Sequence, residues 1–271
     1  MQDLFSLNDK VIVVTGGTGI LGNAFITAIA EAGGSVGILG RNEDIATQRA
    51  DLIKSNGGKA IALKADVLDE KSLEKARDII LKEFGSIYGL VNGAGGNMPD
   101  GVLQPDEDIF DIRIQGMKNV LDLNLWGTII PTQVFGKSIA QSGGGSIINI
   151  SSMNSKRAVT KVLGYNMGKA AIDCYTQWFA VELARRYGEA IRINAIAPGF
   201  FLTEQNRMLL TNSDGTFTPR GASVIQQTPL ARFGNADELK GALVWLLNEA
   251  SKFVTDSTVT IDGSFSIFSG V

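Results

Sequence analysis

The 271-residue chain contains no histidine, a single cysteine and no apolar run of membrane-spanning length. Without an imidazole, proton transfer near neutral pH must fall to another side chain, and no histidine can hold a metal. With Cys174 alone, an internal disulfide and a cysteine-based zinc cluster are both excluded, which suits a reducing compartment. The opening "MQDLFSLNDK" has no basic region followed by a long apolar stretch, and runs such as "VIVV" are strand-sized. A soluble, cytoplasmic protein without a membrane partner is expected. The net charge of −3 comes with no block of Lys or Arg, so nucleic acid is not an expected partner either. Glycine, by contrast, is plentiful: 32 residues, placed singly or in short clusters at the ends of apolar runs, where they punctuate turns.

Short runs rich in β-branched residues occupy 11–15, 35–39, 59–64, 89–92, 146–151 and 191–197. They alternate with amphipathic stretches at 24–32, 44–56, 70–84, 109–140, 165–187 and 236–248, and a last run at 257–262 adds a sheet edge. Strands this apolar need helices on both faces, so the alternation predicts an α/β fold with a doubly wound parallel sheet in a single domain, 1–271. Between Phe200 and Pro229 the pattern dissolves into about thirty residues without a strand. That segment, about 200–229, is the expected substrate lid.

Directly after the first strand comes "TGGTGILG", in which Gly17, Gly19 and Gly22 form GxGxxG at a helix entrance. Such glycines let backbone approach a pyrophosphate, which then rests on the helix N-terminus. Gly16, Gly17, Thr18, Gly19, Ile20, Leu21 and Gly22 are therefore candidate cofactor residues of a Rossmann-type fold. At the end of the second strand, Gly40 stands where a ribose-binding Asp is usual, and Arg41 follows. An arginine there can take a 2′-phosphate, so NADP(H) is the expected cofactor, with NAD(H) as the alternative.

Together with this loop, "ADV" 65–67, "NGAG" 92–95, "LNLWG" 123–127, "NISS" 149–152, "YNMGK" 165–169, "NAIAPGFFLT" 194–203 and "FVTDSTVTIDG" 253–263 occur in an order that resembles the short-chain dehydrogenase/reductase family over nearly the whole chain. The resemblance implies that Asp66 and Val67 border an adenine, and that Asn92, Ala94 and Gly95 line the cofactor. It implies that Thr203, after Pro198 and Gly199 of the same cofactor segment, holds the nicotinamide carboxamide. It places Asn124, Ser152, Tyr165 and Lys169 at the catalytic positions, Ser152 rather than Ser151 because the family's serine lies thirteen residues before its tyrosine. A phenol has a reference pKa near ~10 and is a poor base unaided. Lys169, four residues on and on the same helical face, is expected to lower that value together with an oxidised nicotinamide. Tyr165 would then exchange a proton with a ketone oxygen, Ser152 would hydrogen-bond the same oxygen, Lys169 would also bind the ribose, and Asn124 would hold a water for proton resupply. Ile20, Gly93 and Ser264 depart from the family pattern without removing any of these groups.

Between Ser152 and Tyr165 lie Lys156, Arg157 and Lys161, and the expected lid carries Arg207 and Arg220. Cations outnumber aromatic groups there, which suits a carboxylate-bearing small molecule, with Asn97 and Asn154 available to read hydroxyls. The glycine loop and "NGAGGN" resemble members acting on sugar acids, such as D-mannonate oxidoreductases (fructuronate reductases) and gluconate dehydrogenases. The rival readings are a 3-oxoacyl-thioester reductase and a non-catalytic NADP(H)-binding sensor or scaffold; the full tetrad speaks against the latter. The resemblance also implies a homotetramer.

Overall fold

Every residue of five strands is withdrawn from water in the computed structural model, which describes residues 4–270. These are β1 (Val11–Thr15), β2 (Ser35–Gly40), β4 (Gly89–Asn92), β5 (Gly145–Ile150) and β6 (Ile191–Pro198). The two strands with exposed or partly exposed positions, β3 (Lys59–Lys64) and β7 (Thr258–Ile261), are the sheet edges. All seven pair in parallel in the order β3-β2-β1-β4-β5-β6-β7. Parallel strands need crossovers, and the helices that make them cover both faces.

The helices in chain order are α1 (Ile20–Glu31), α2 (Glu43–Ser55), α3 (Glu70–Phe84), α4 (Ile114–Leu121) and α5 (Gly127–Gln141). They continue with α6 (Leu163–Tyr187), α7 (Glu204–Leu210), α8 (Pro219–Gln227) and α9 (Lys240–Leu247). Alternation along β1 divides the core: Ile12 and Val14 pack with Phe25, Ile29 and Leu246, whereas Val11 and Val13 pack with Leu73, Ile80 and Phe135. Local chemistry sets the helix ends. Asn42 accepts from the Ile45 N–H to start α2, Asp69 accepts from the Lys71 and Ser72 N–H groups to start α3, and Gly85 at φ 80° ends α3.

Two stretches depart from the sequence reading. The helix expected over 109–140 is broken: a single turn at Ile109–Asp111 precedes Ile112 and Arg113 in extended conformation, and only then does α4 begin. Arg113 donates to the carbonyls of Asp100 and Val102 and pairs with Glu107, so tertiary polar contacts hold the chain out of the helix. Between α4 and α5 the backbone widens into one π-helical turn, Asp122–Trp126, centred on Asn124. The expected lid segment, predicted to hold no strand, contains α7 and α8, joined by an antiparallel bridge between Thr211 and Phe217 and packed through buried Leu210 and Val224. Among the described residues no helix is long and apolar enough to cross a membrane.

Candidate active site

β1 pairs with β2 on one side and β4 on the other, so the connections leaving β1 and β4 diverge. A crevice opens beyond the carboxyl ends of these strands, which is where open parallel sheets bind ligands. The glycine segment fills one wall. Gly16 has φ +65°, and a Cβ there would lie 2.7 Å from the Gly93 carbonyl oxygen; a Cβ on Gly22 would lie 2.1 Å from the Gly16 carbonyl oxygen. Only bare backbone fits at both positions. Gly19 begins α1 without a side-chain cap, and the first turn holds no acidic residue. Ile20, Leu21 and Gly22 thus present unopposed helix N-terminal dipole to an anion.

Sequence reasoning missed the residue that braces this loop. Arg49 of α2 donates through Nη1 to the carbonyls of Gly17 (2.6 Å) and Gly19 (2.7 Å). Partial burial lowers the pKa of this guanidinium. An arginine in mid-helix carries no local sign of such a contact. At the end of β2, a Cβ on Gly40 would meet the Thr18 Oγ1 at 2.6 Å and Cγ2 at 2.7 Å, so Thr18 occupies the space an acid would need. Arg41 is exposed beside it.

The opposite wall is the chain after β4. Thr15 Oγ1 accepts from the Ala94 N–H at 3.2 Å and ties the two strand ends together. The Asn92 side chain, expected to line the cofactor, lies inside instead: it is 1% exposed and donates to Thr132 Oγ1 and Asn149 Oδ1, both at 2.9 Å. Strand alternation turns it into the sheet–helix interface, where it braces the wall from behind. A Cβ on Gly95 would approach Asn124 Oδ1 to 2.8 Å and Lys169 Nζ to 3.3 Å, so this glycine keeps the space before the lysine open. Asn124 is fully buried; its Oδ1 accepts from the Gly96 N–H, and its Nδ2 donates to the carbonyls of Gly96 and Val120. Both amide hydrogens are spent on the protein. Its side chain therefore clamps the β4 loop to the π turn. Asp66 accepts from the Leu68 N–H, and Val67 is buried against the place where a Gly127 Cβ would be. Gly199 donates from its N–H to the Ile261 carbonyl after Pro198, and Thr203 heads α7.

The third wall is where β5 ends against the first turns of α6. Lys169 is 4% exposed; its Nζ donates to the Ile150 carbonyl at 2.7 Å and lies 5.4 Å from the Tyr165 ring centre. Burial depresses the ammonium to a pKa of about 8, against an opposing pull from Asp173. The Ser152 hydroxyl beside Tyr165 pulls the phenol's pKa down, but burial raises it and wins. The cofactor-free protein thus holds Tyr165 above its ordinary value; the lowering expected from Lys169 together with an oxidised nicotinamide concerns the loaded site. Ser152 Oγ donates to Asn154 Oδ1 (3.3 Å) and accepts from the Asn154 N–H (3.2 Å), while Asn154 Nδ2 donates to Asn166 Oδ1 at 2.7 Å. Asn154 is thereby a direct partner of Ser152.

The remaining cations do not converge. Arg157 is exposed and donates to the Phe268 carbonyl of the C-terminal tail, and Lys161, at φ 76°, lines a cavity of about 160 Å³ with Glu107, Arg113 and Met117. Lys156 and Asn97 are exposed on their loops. Arg207 is exposed on α7, and Arg220 is half-buried in the first turn of α8. The features that need no ligand to be seen, the bare glycine cradle, the uncapped α1 and the space kept by Gly95 before Lys169, all fit a dinucleotide laid across the crevice.

Comparison with known proteins agrees with that geometry. A family model described as enoyl-(acyl carrier protein) reductase matches residues 18–266. The uncharacterized oxidoreductase UxuB of Bacillus subtilis is 42% identical, over 98% of each chain. A solved structure from Haemophilus influenza, provisionally described as a D-mannonate oxidoreductase with bound NAD, superposes with a TM-score of 0.90 at 39% identity, covering 98% of both chains. A gluconate 5-dehydrogenase from Burkholderia cenocepacia in complex with NADP and tartrate gives 0.85 at 30% identity, covering 97% of this chain and 98% of that one.

Proposed function

The chain belongs to the short-chain dehydrogenase/reductase family and is an NAD(P)-dependent oxidoreductase acting on CH–OH groups, and from that premise we propose that it interconverts a keto sugar acid and the corresponding hydroxy acid. Fructuronate and mannonate are the leading pair. The observation that carries the reading is the Asn154–Ser152–Tyr165–Lys169 arrangement in front of the space kept by Gly95.

When bound, the nicotinamide supplies or accepts hydride. The chain's own residues do the rest. The glycine cradle and the α1 N-terminus would hold the pyrophosphate, and Arg49 keeps that loop in shape. Lys169 would hold the ribose, and Thr203 the carboxamide, as the resemblance implies. Ser152, its orientation fixed by Asn154, hydrogen-bonds the substrate oxygen, and Tyr165 gives that oxygen its proton in reduction or removes it in oxidation. The Asn124 clamp keeps the β4 loop at its distance from Lys169. The helices α7 and α8 form the lid over 200–229, and Arg207 or Arg220 on it meets the carboxylate. We further propose NADP(H) over NAD(H), supported by exposed Arg41 and the absence of an acid at Gly40, and a cytoplasmic homotetramer.

The test is a panel of keto sugar acids assayed beside their amides or parent sugars, for the wild type and for Arg207→Ala, Arg220→Ala and Arg157→Ala. A charged hydrogen bond contributes ~1.5–3 kcal/mol, so the acid should lead its neutral analogue by one to two decades in kcat/KM, and one lid variant should erase the lead. Equal constants for acid and neutral analogue would exclude a carboxylate anchor and bring forward a 3-oxoacyl-thioester substrate.

A further inference from the structure

Three consecutive residues at the end of β5 meet three residues spaced one helical turn apart on α6. The Ile150 carbonyl takes the Lys169 ammonium at 2.7 Å, the Ser152 hydroxyl meets Tyr165, and between them the Ser151 hydroxyl donates to Asp173 Oδ1 at 2.5 Å. Tyr165, Lys169 and Asp173 are i, i+4 and i+8, so they share one face of the helix. The family tetrad uses the first two. Asp173 continues the line, half-buried, with its carboxylate fixed toward the strand end by a hydroxyl that is 1% exposed.

A lysine buried to 4% exposure loses much of its hydration, and the charged form needs compensation from the protein. The groups around Lys169 supply little charge. From β5 comes the Ile150 carbonyl, from the π turn the neutral Asn124 amide, from the β4 loop the backbone of Gly95, and from α6 itself the phenol of Tyr165. The anion that acts on it is Asp173, one turn along its own helix. A Ser–carboxylate hydrogen bond of 2.5 Å is of the short, charge-assisted kind and holds that anion still.

We propose that Asp173, anchored by Ser151, is a positioning residue: it is the counter-charge that keeps the Lys169 ammonium protonated and aimed at the place where the nicotinamide ribose and the phenol meet. The proposal rests on the dehydrogenase reading of the site for its purpose, but not for its measurement. Asp173 touches no reacting atom and acts through Lys169. Its own anchor, Ser151, is thereby given a function distinct from that of its catalytic neighbour Ser152.

The measurement is a pH titration of the Lys169 side chain in the cofactor-free protein, followed by the ¹³Cε resonance of labelled lysine and assigned by its loss in Lys169→Met. In Asp173→Asn the titration midpoint should fall by about one pH unit or more, the usual size for loss of a neighbouring opposite charge. Asp173→Glu should restore most of it, which a purely structural role would not require. Ser151→Ala keeps the carboxylate but frees it, and should move the midpoint in the same direction by a smaller amount. This variant decides the matter if Asp173→Asn does not fold. An unchanged Lys169 midpoint in the folded variants overturns the proposal. If the midpoints shift as stated while no keto sugar acid is turned over, the substrate reading has failed and the role of Asp173 stands.

Discussion

Tyr165 shows how much of the chemistry rests on burial. The phenol lies above its ordinary pKa and Lys169 lies at about 8, both because burial disfavours the charged form. Alcohol oxidation needs the phenolate, so its kcat/KM should rise as pH climbs; ketone reduction needs the phenol and the ammonium, and should decline as pH passes about 8 and Lys169 loses its proton. A pH profile flat from 6 to 10 in both directions, with pH values chosen on the order of the reference range, would remove Tyr165 and Lys169 as the titrating pair. Tyr165→Phe should cost at least about a hundredfold in kcat while leaving cofactor affinity near normal. Two arginines near the glycine loop separate by the nucleotide they affect. Arg41→Ala should weaken NADPH about tenfold and NADH hardly at all, whereas Arg49→Leu, which frees the Gly17 and Gly19 carbonyls, should weaken both alike. Nucleotide titrations by fluorescence read both; an Arg41→Ala protein that keeps its NADPH affinity shows that the side chain points elsewhere. Gly40→Asp is a poor way to introduce NADH preference here, because the new Cβ collides with Thr18.

Turns and caps carry the next level of organisation, and one of them is strained. Where the family pattern has a second glycine, Ser264 sits at φ 70°, directly after Gly263 at φ 61°. A side chain in the left-handed region costs ~1–2 kcal/mol, partly offset by the entropy a glycine would lose. The Ser264 N–H donates to Asp262 Oδ1, a contact any residue can make. Ser264→Gly should therefore raise the thermal midpoint by about 2–4 °C, read by calorimetry; a lower midpoint would mean that the hydroxyl has a stabilising partner. The substitution was visible in the sequence, but its strain was not. The same division holds elsewhere. Strands were legible because burial on both faces demands unbroken β-branched runs, and the Tyr165–Lys169 pair because its spacing is set within one helix, whereas Asn124 and Ser152, on other elements, were picked out only by the resemblance. The break before α4 was not legible, because it comes from Arg113 reaching back to Asp100 and Val102. Neither were α7 and α8, which are too short and polar to show a periodic stripe and depend on Leu210 and Val224 being covered. Arg49, Asn166 and Asp173 escaped notice for the related reason that each acts on a residue far along the chain or on another element.

The fold buries the five inner strands of its sheet completely but leaves one helix face uncovered. Along α6, Leu163, Met167, Trp178 and Val181 are 45%, 45%, 61% and 56% exposed. Cys174 lies between them and is exposed as well. Their spacing of four, seven, four and three residues follows the helical repeat, so they form one stripe along the outer side of the helix that carries Tyr165 and Lys169 on its inner side. Trp126, in the π turn before α5, is 47% exposed, and Ile267 near the C-terminus is 82% exposed. A tryptophan and three aliphatic side chains aligned on water are the mark of a surface that meets another. Two-fold pairing of α6 and α5 between copies would bury the stripe against itself, as isologous interfaces do, and the tail offers a second contact to make a tetramer. Light scattering at micromolar concentration should therefore give a mass near four chains, and Trp178→Glu, which places a charge in the middle of the stripe, should reduce it to two or one. Because the opposite face of the same helix holds Tyr165 and Lys169, the dissociated protein should also lose kcat at unchanged chain concentration. A wild-type protein that runs as a clean monomer with full activity would show that the stripe is covered by nothing, and that α6 keeps its shape from the sheet side alone.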